Sequence, residues 1–240
     1  MRQLIVNADD LGASPSVNSG IARAHERGIV TSASMMVLAP AATAAFRWAS
    51  RCETLSVGLH LDLAEWEFAS GEWRSRYERV DAADADAVRT EVDRQLGAFL
   101  RLAGHPPTHL DSHQHVHREE PVGTILAEVG ERLGITVRGQ NPQTGPPVVT
   151  YRGDYYGQSA KGEPYWQALT LSALLAVLVD LPEGITELGC HPGYADDLNS
   201  TYRIEREMET RVLCEPELVS CLQREGIRLV PHGLPRCAAS

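Results

Sequence analysis

Between residues 108 and 117 the chain reads THLDSHQHVH, which sets His109, Asp111, His113, His115 and His117 on alternate positions. Alternate side chains of an extended strand share a face, so this spacing can aim several metal- or proton-binding groups into one cavity. Similar groups close other short apolar runs: Asp9 and Asp10 end LIVNADD, His60 ends LSVGLH, Arg138 follows ITV and His191 ends TELGCH. One carboxylate and two imidazoles make a three-ligand site that leaves positions open for water or substrate. Water on such an ion is acidified, and a neighbouring aspartate can take its proton. Two adjacent aspartates cannot point the same way from a regular strand, so one is expected at the metal and the other at proton transfer. His191, on a distant strand, could protonate a leaving group. Each group alone has a plainer reading, Asp-Asp as a cap or turn and His60 as a hydrogen-bonded core histidine. Their arrival at five strand ends is what points to a site.

Strands and helices alternate along the chain to deliver these groups. QLIVNA, IVTSASMMVL, LSVGLHLDL, PTHLDSH, ITVRG, ITELGCH and IRLVPH read as strands. Between them lie a helix opened by Ser14 and Pro15 and closed by Gly28, another over AATAAFRWAS, and an amphipathic helix over 83–103 ended by Gly104. Further helices are expected after Pro121, at about 165–180 and at 205–224. About seven βα units exceed what a small open sheet needs, and the expected fold is a closed or nearly closed (β/α) barrel in a single domain, 1–240. Catalytic groups of such barrels sit at the C-terminal strand ends. His115 and His117 fall past the expected strand end and rank below His113, while His25, His105 and His232 read as surface residues. Two stretches, 62–82 and 139–164, lack periodicity and are long for connections, as functional loops often are.

The net charge of −10 excludes a non-specific nucleic-acid binder and disfavours anionic membranes. Cys52, Cys190, Cys214, Cys221 and Cys237 show no CxxC spacing and read as reduced thiols. No signal peptide is visible, and the longest apolar run, ALTLSALLAVLV, is too short to span a bilayer, so a cytoplasmic protein without membrane insertion is expected.

In order and spacing, NADDLG, GIVTSASMMV, GLHLDL, THLDSHQHVH and CHPGY resemble the motifs of the YdjC/ChbG-like carbohydrate deacetylases, which include the HpnK-type enzymes. The resemblance runs from residue 4 to about 194. It implies a distorted (β/α) barrel of about seven βα units and a metal-dependent deacetylase acting on an N-acetylamino sugar or a glycoconjugate of one. Carried over by position, it implies Asp10, His60 and His113 as ligands of one divalent ion, Zn2+ or Mg2+, and Asp9 as general base. By similarity to the wider polysaccharide deacetylases, His191 would be the general acid and Arg138 would orient a carboxylate. Leu11 stands where family members often have phenylalanine. Trp66, Trp73, Tyr155 and Tyr156, in the two long stretches, are candidates for stacking on sugar rings; Phe68, Tyr77 and Tyr151 lie beside them, and anchoring the loops is the competing role. The expected partner is a small N-acetylated sugar, with a homodimer admitted. A phosphoesterase-type barrel hydrolase and a catalytically silent sugar-binding protein are the alternatives.

Overall fold

The computed structural model describes residues 1–69, 71–140, 147–198 and 200–233. Cys237 and part of the 139–164 stretch lie outside the described residues. In chain order the elements are β1 (Arg2–Leu11), α1 (Pro15–Arg27), β2 (Ser32–Met35), α2 (Ala42–Ala49) and β3 (Ser56–Leu61). A hairpin of β4 (Ala64–Ala69) and β5 (Glu72–Glu78) follows, then α3 (Ala85–Ala103), β6 (His109–Ser112), a 3-10 turn (His113–Arg118) and α4 (Val122–Leu133). The remainder is β7 (Thr136–Val137), β8 (Val149–Arg152), α5 (Leu171–Val179), β9 (Gly184–Cys190), α6 (Ile204–Leu213), α7 (Pro216–Arg224) and β10 (Ile227–Leu229).

Eight strands make one parallel sheet in the order β7-β6-β3-β2-β1-β9-β8, with β10 also paired to β1. The sheet curls into a nearly closed, distorted β/α barrel, and Arg138, just after β7, reaches Glu187 on β9. Outward side chains such as Leu4, Val6, Leu59, Leu110 and Leu188 form one apolar core with Ile21 of α1, Val92 and Phe99 of α3 and Leu126 of α4. Each such side chain stabilises the fold by about 1.5–3 kcal/mol. The inward positions are different in kind. Asn7, Asp9, Ser32, Ser34, His60, His109, Asp111 and Glu187 are all buried, so the barrel holds a hydrogen-bonded polar interior. Gly58 lacks a side chain because a Cβ there would lie 2.5 Å from the His109 ring.

The expected punctuation is present. Ser14 Oγ accepts from the Val17 amide at 3.1 Å as α1 opens at Pro15. Asp84 caps α3, and Gly104 ends it at φ 72°, a left-handed conformation glycine adopts without strain. Four expectations are corrected. The 139–164 stretch is not all connection, since it carries β8, which pairs with β9 in the sheet. The 62–82 stretch, expected to lack periodicity, is mostly the β4–β5 hairpin, with Gly71 at φ 84°; Trp66 and Phe68 alternate with Glu65 and Glu67 on β4, and Trp73 and Tyr77 with Arg74 and Arg76 on β5. The helix expected over 205–224 is two, α6 and α7, because Pro216 cannot continue α6 and starts α7 instead. The helix expected at 165–180 begins as a 3-10 turn, Trp166–Leu169, before Thr170 caps α5.

Candidate active site

The strand ends meet at one rim, and a local distortion lets both aspartates reach it. Between Ala8 and Leu11 the β1–β2 register shifts, and Asp10 takes a left-handed φ of 67°. Such a bulge re-aims a side chain that a regular strand would send to the opposite face, and a left-handed non-glycine residue costs roughly 1–2 kcal/mol. Asp10 Oδ1 consequently lies 3.0 Å from His113 Nδ1 and 3.3 Å from His60 Nε2. Asp10, His60 and His113 offer ligand atoms within 4.8 Å of one another. Asp111 Oδ1 holds His60 Nδ1 at 2.8 Å, leaving Nε2 for the site, as the carboxylate behind a metal-bound histidine does. His113 Nε2 is buried with no hydrogen-bond partner. Burial opposes charge on Asp10, but Arg206 and His113 outweigh it and hold the carboxyl well below the usual range. Burial likewise opposes charge on His60 and His113, and Asp111 and Asp10 respectively raise them above the ordinary imidazole value.

Asp9 has a different neighbour. Arg138 donates Nη1 and Nη2 to its two oxygens at 2.6 and 2.7 Å. The same guanidinium contacts Asp111 at 2.7 Å and, through Nε, Glu187 at 2.7 Å. Against the penalty of burial, Arg138 keeps Asp9 ionised far below ordinary carboxyl values. Asp9, His60 and Asp111 form a second cluster of ligand type, but Arg138 already bridges its two carboxylates. His191 Nε2 is 3.7 Å from Asp9 Oδ2, and burial pulls its pKa down to about 4.

The alternate spacing of the histidine run holds only as far as the strand does. β6 ends at Ser112, and Gln114 and His115 take left-handed angles of φ 52° and 57° in the turn that follows. His109 and Asp111 face the barrel interior and His113 the rim. His115 lines the cleft, and His117 folds back onto Ser112 Oγ at 2.7 Å. The Gln114 side chain pairs with the Trp66 backbone through two bonds, 2.9 and 2.6 Å, and so ties the hairpin to the histidine turn.

Above this rim opens a cleft of about 660 Å³ walled by Trp66, Phe68 and Trp73 on one side and Tyr151 and Tyr156 on the other. Trp66 and Trp73 are 42% and 53% exposed. Tyr155, also named from sequence, borders the cleft but is 1% exposed, so its ring belongs to the core. Tyr77 donates to Asp62, which also binds Arg79, fastening the hairpin base.

Several residues of the site escaped the sequence reading. Arg206 of α6 donates to Asp10 Oδ2 at 2.6 Å. Tyr202 stacks on Tyr156 with centroids 4.8 Å apart, accepts from the Gly157 amide at 2.8 Å and donates to Glu209. Glu209 also accepts the His191 amide, and burial raises its carboxyl to about 8. Arg206, Glu209 and Thr210 share one helix face by their spacing, but only the structure shows that this polar face is the buried one and Ile204 the exposed one. His232, read as a surface residue, is buried in the barrel, stacked on His109 at 3.9 Å.

The family model described as YdjC-like protein matches residues 3–224. A carbohydrate deacetylase of Geobacillus stearothermophilus is 33% identical over 96% of this chain and 97% of its own. A chitooligosaccharide deacetylase of Klebsiella pneumoniae is 30% identical over 95% and 97%. In fold, the chain is similar to a solved Enterococcus faecalis protein provisionally described as cleaving cellobiose phosphate, with TM-score 0.77, 24% identity and coverage of 96% and 97%. The chain belongs to the YdjC-like family.

Proposed function

We propose that this protein is a metal-dependent hydrolase that removes the acetyl group from an N-acetylamino sugar or a glycoconjugate of one. The observation that carries the proposal is the donor set around Asp10 Oδ1, with His60 Nε2 and His113 Nδ1 at 3.3 and 3.0 Å and Asp9 one residue away. Charge supports it too. Asp9 and Asp10 at the rim and Asp111 and Glu187 deeper in the barrel are four buried carboxylates, set against two guanidiniums, Arg138 and Arg206, and the imidazoles His60 and His113. A single divalent cation would take over the positive charge that His60 and His113, held above the ordinary imidazole value by their carboxylates, supply in its absence. Two imidazoles in the set favour zinc or a similar transition ion over magnesium. The names of the curated relatives, carbohydrate and chitooligosaccharide deacetylases, support the substrate class.

Asp10, His60 and His113 would hold the ion, which when bound polarises the acetyl carbonyl and acidifies water. Asp9 stays ionised and accepts the proton of the attacking water. Arg138 grips both Asp9 oxygens and fixes the direction in which the carboxylate accepts. His191 is neutral near pH 7 because of its burial, and at 3.7 Å from Asp9 it is placed to receive that proton and pass it to the departing amine. Trp66, Trp73 and Tyr156 would pack against the apolar faces of the sugar. A two-metal phosphoesterase fits less well, since Arg138 occupies the space between Asp9 and Asp111 that a second ion would need. The test is His113→Ala, which should stay folded while losing both bound ion and acetate release; full metal content by elemental analysis would remove His113 from the ligand set.

A further inference from the structure

The chain leaves β10 in a direction that the sheet does not allow it to continue. β10 pairs with Arg2–Leu4 of β1, but from Asn7 onward β1 pairs with β2. Residues 230–233 therefore turn beneath the starts of β2 and β3. The Val230 amide donates to Leu4 O at 2.9 Å, the His232 amide to Ser32 Oγ at 2.9 Å, and Ser56 Oγ donates to His232 O at 2.6 Å. With its backbone tied on both sides, His232 sends a 3% exposed imidazole into the barrel. The ring stacks on His109, its Nδ1 is 3.3 Å from Thr136 Oγ1 of β7, and its Nε2 is 3.4 Å from Glu187 Oε2 of β9. Glu187 gives its other oxygen to Arg138 Nε, and the two remaining Arg138 nitrogens hold Asp9.

A guanidinium is a planar fork whose donors have fixed relative directions. Fixing Nε with Glu187 therefore fixes how the other edge presents itself to Asp9. We infer that His232 and Glu187 are positioning residues for Asp9, acting through Arg138, so that the segment just after β10, residues 230–233, sets the orientation of the carboxylate that takes the proton. The inference rests on the deacetylase reading for its kinetic consequence but not for its geometry. Neither residue reaches the cleft or the ligands Asp10, His60 and His113, and Asp111 keeps its own contact with His60, so substrate binding and metal content should change far less than turnover.

Two substitutions separate positioning from packing. His232→Leu keeps an apolar side chain against His109 and loses the contact with Glu187, whereas His232→Gln keeps an N–H near the position of Nε2. On a β-1,4-linked N-acetylglucosamine disaccharide, His232→Leu should lower kcat by about 10- to 100-fold, the penalty of a misdirected catalytic group, with far smaller changes in KM and bound metal. His232→Gln should recover most of that loss while having a similar Tm. Equal loss in both variants, a change confined to KM, or unchanged kcat in His232→Leu overturns the inference. If His232→Leu does not fold, Thr136→Val removes the hydrogen-bond partner of Nδ1 with little change of shape, and the same criteria apply. A crystal structure of the metal-loaded variant supplies a reading independent of turnover: Glu187 should leave Arg138 Nε, and Asp9 should lose one of its two Arg138 bonds. Unchanged Arg138–Asp9 geometry there overturns the inference, even if the unsubstituted enzyme releases no acetate and the functional reading itself has failed.

Discussion

Arg138→Gln should destabilise the protein by an amount that depends on pH in a calculable direction. The Arg138 side chain is fully buried and contacts Asp9, Asp111 and Glu187, each at 2.6 or 2.7 Å. Glutamine keeps polar atoms but no charge, and leaves three buried carboxylates without their cation. Removing one partner of a buried ion pair costs about 3–5 kcal/mol, and three acceptors on one donor place this site at the upper end. For a chain of this size each kcal/mol moves Tm by about 2–4 °C, so metal-free Arg138→Gln should melt about 10–20 °C below the metal-free parent at pH 7.5. Arg138 holds Asp9 and Glu187 below their unfolded values against the effect of burial. Their stabilisation is therefore complete above the unfolded carboxyl pKa, about 4, and is lost as pH falls through the lower folded values. In the variant the carboxylates are buried and unpaired, so their folded pKa values rise and acid relieves them. The gap in Tm should accordingly narrow by half or more between pH 7.5 and pH 4, as read by calorimetry. A shift under about 3 °C at pH 7.5, or an equal shift at both pH values, would refute the reasoning.

Asp9→Asn should bind metal normally yet lose about 10²- to 10⁴-fold in kcat; loss of the ion with activity restored by added metal would mean that the two aspartates have exchanged roles. Trp73→Ala should raise KM for the sugar with little change in Tm, because the ring is 53% exposed, whereas Tyr155→Ala should lower Tm as a deleted core aromatic does, by about 3–5 kcal/mol of stability. Matching stability losses in both would make the hairpin aromatics structural. Glu209 keeps its proton to about pH 8 when folded, while the unfolded chain releases it near the ordinary carboxyl value, so stability falls as pH rises between the two. Glu209→Gln should flatten the fall in Tm from pH 5 to pH 8, and parallel curves would contradict the raised value.

The barrel and most of the proposed site were legible because both follow from the strand period. Asp9, His60, His113, Arg138 and His191 each close an apolar run, and in a parallel barrel all such ends face one rim. How Asp9 and Asp10 both reach that rim was not legible, since it depends on a bulge and a left-handed residue within a run that reads as regular strand. Arg206 and Glu209 were hidden for another reason: a buried polar helix face reads in sequence like a solvated one. His232 follows a three-residue strand near the chain's end and resembles a surface tail until the β1 edge is found already taken by β2. The hairpin does carry a strand signal, Trp66 and Phe68 alternating with Glu65 and Glu67 and Trp73 and Tyr77 with Arg74 and Arg76, but in runs of only six and seven residues.

The central claim is that one divalent ion on Asp10, His60 and His113 drives hydrolysis of a sugar acetamide, and acetate release measured against metal content tests it most directly. The purified protein, stripped with chelator and given a β-1,4-linked N-acetylglucosamine disaccharide, should release no acetate. Adding one equivalent of zinc should restore release, with one free amine formed for each acetate. Undiminished release from protein shown by elemental analysis to be metal-free, or no acetate from any N-acetylated sugar after reconstitution, would contradict the account.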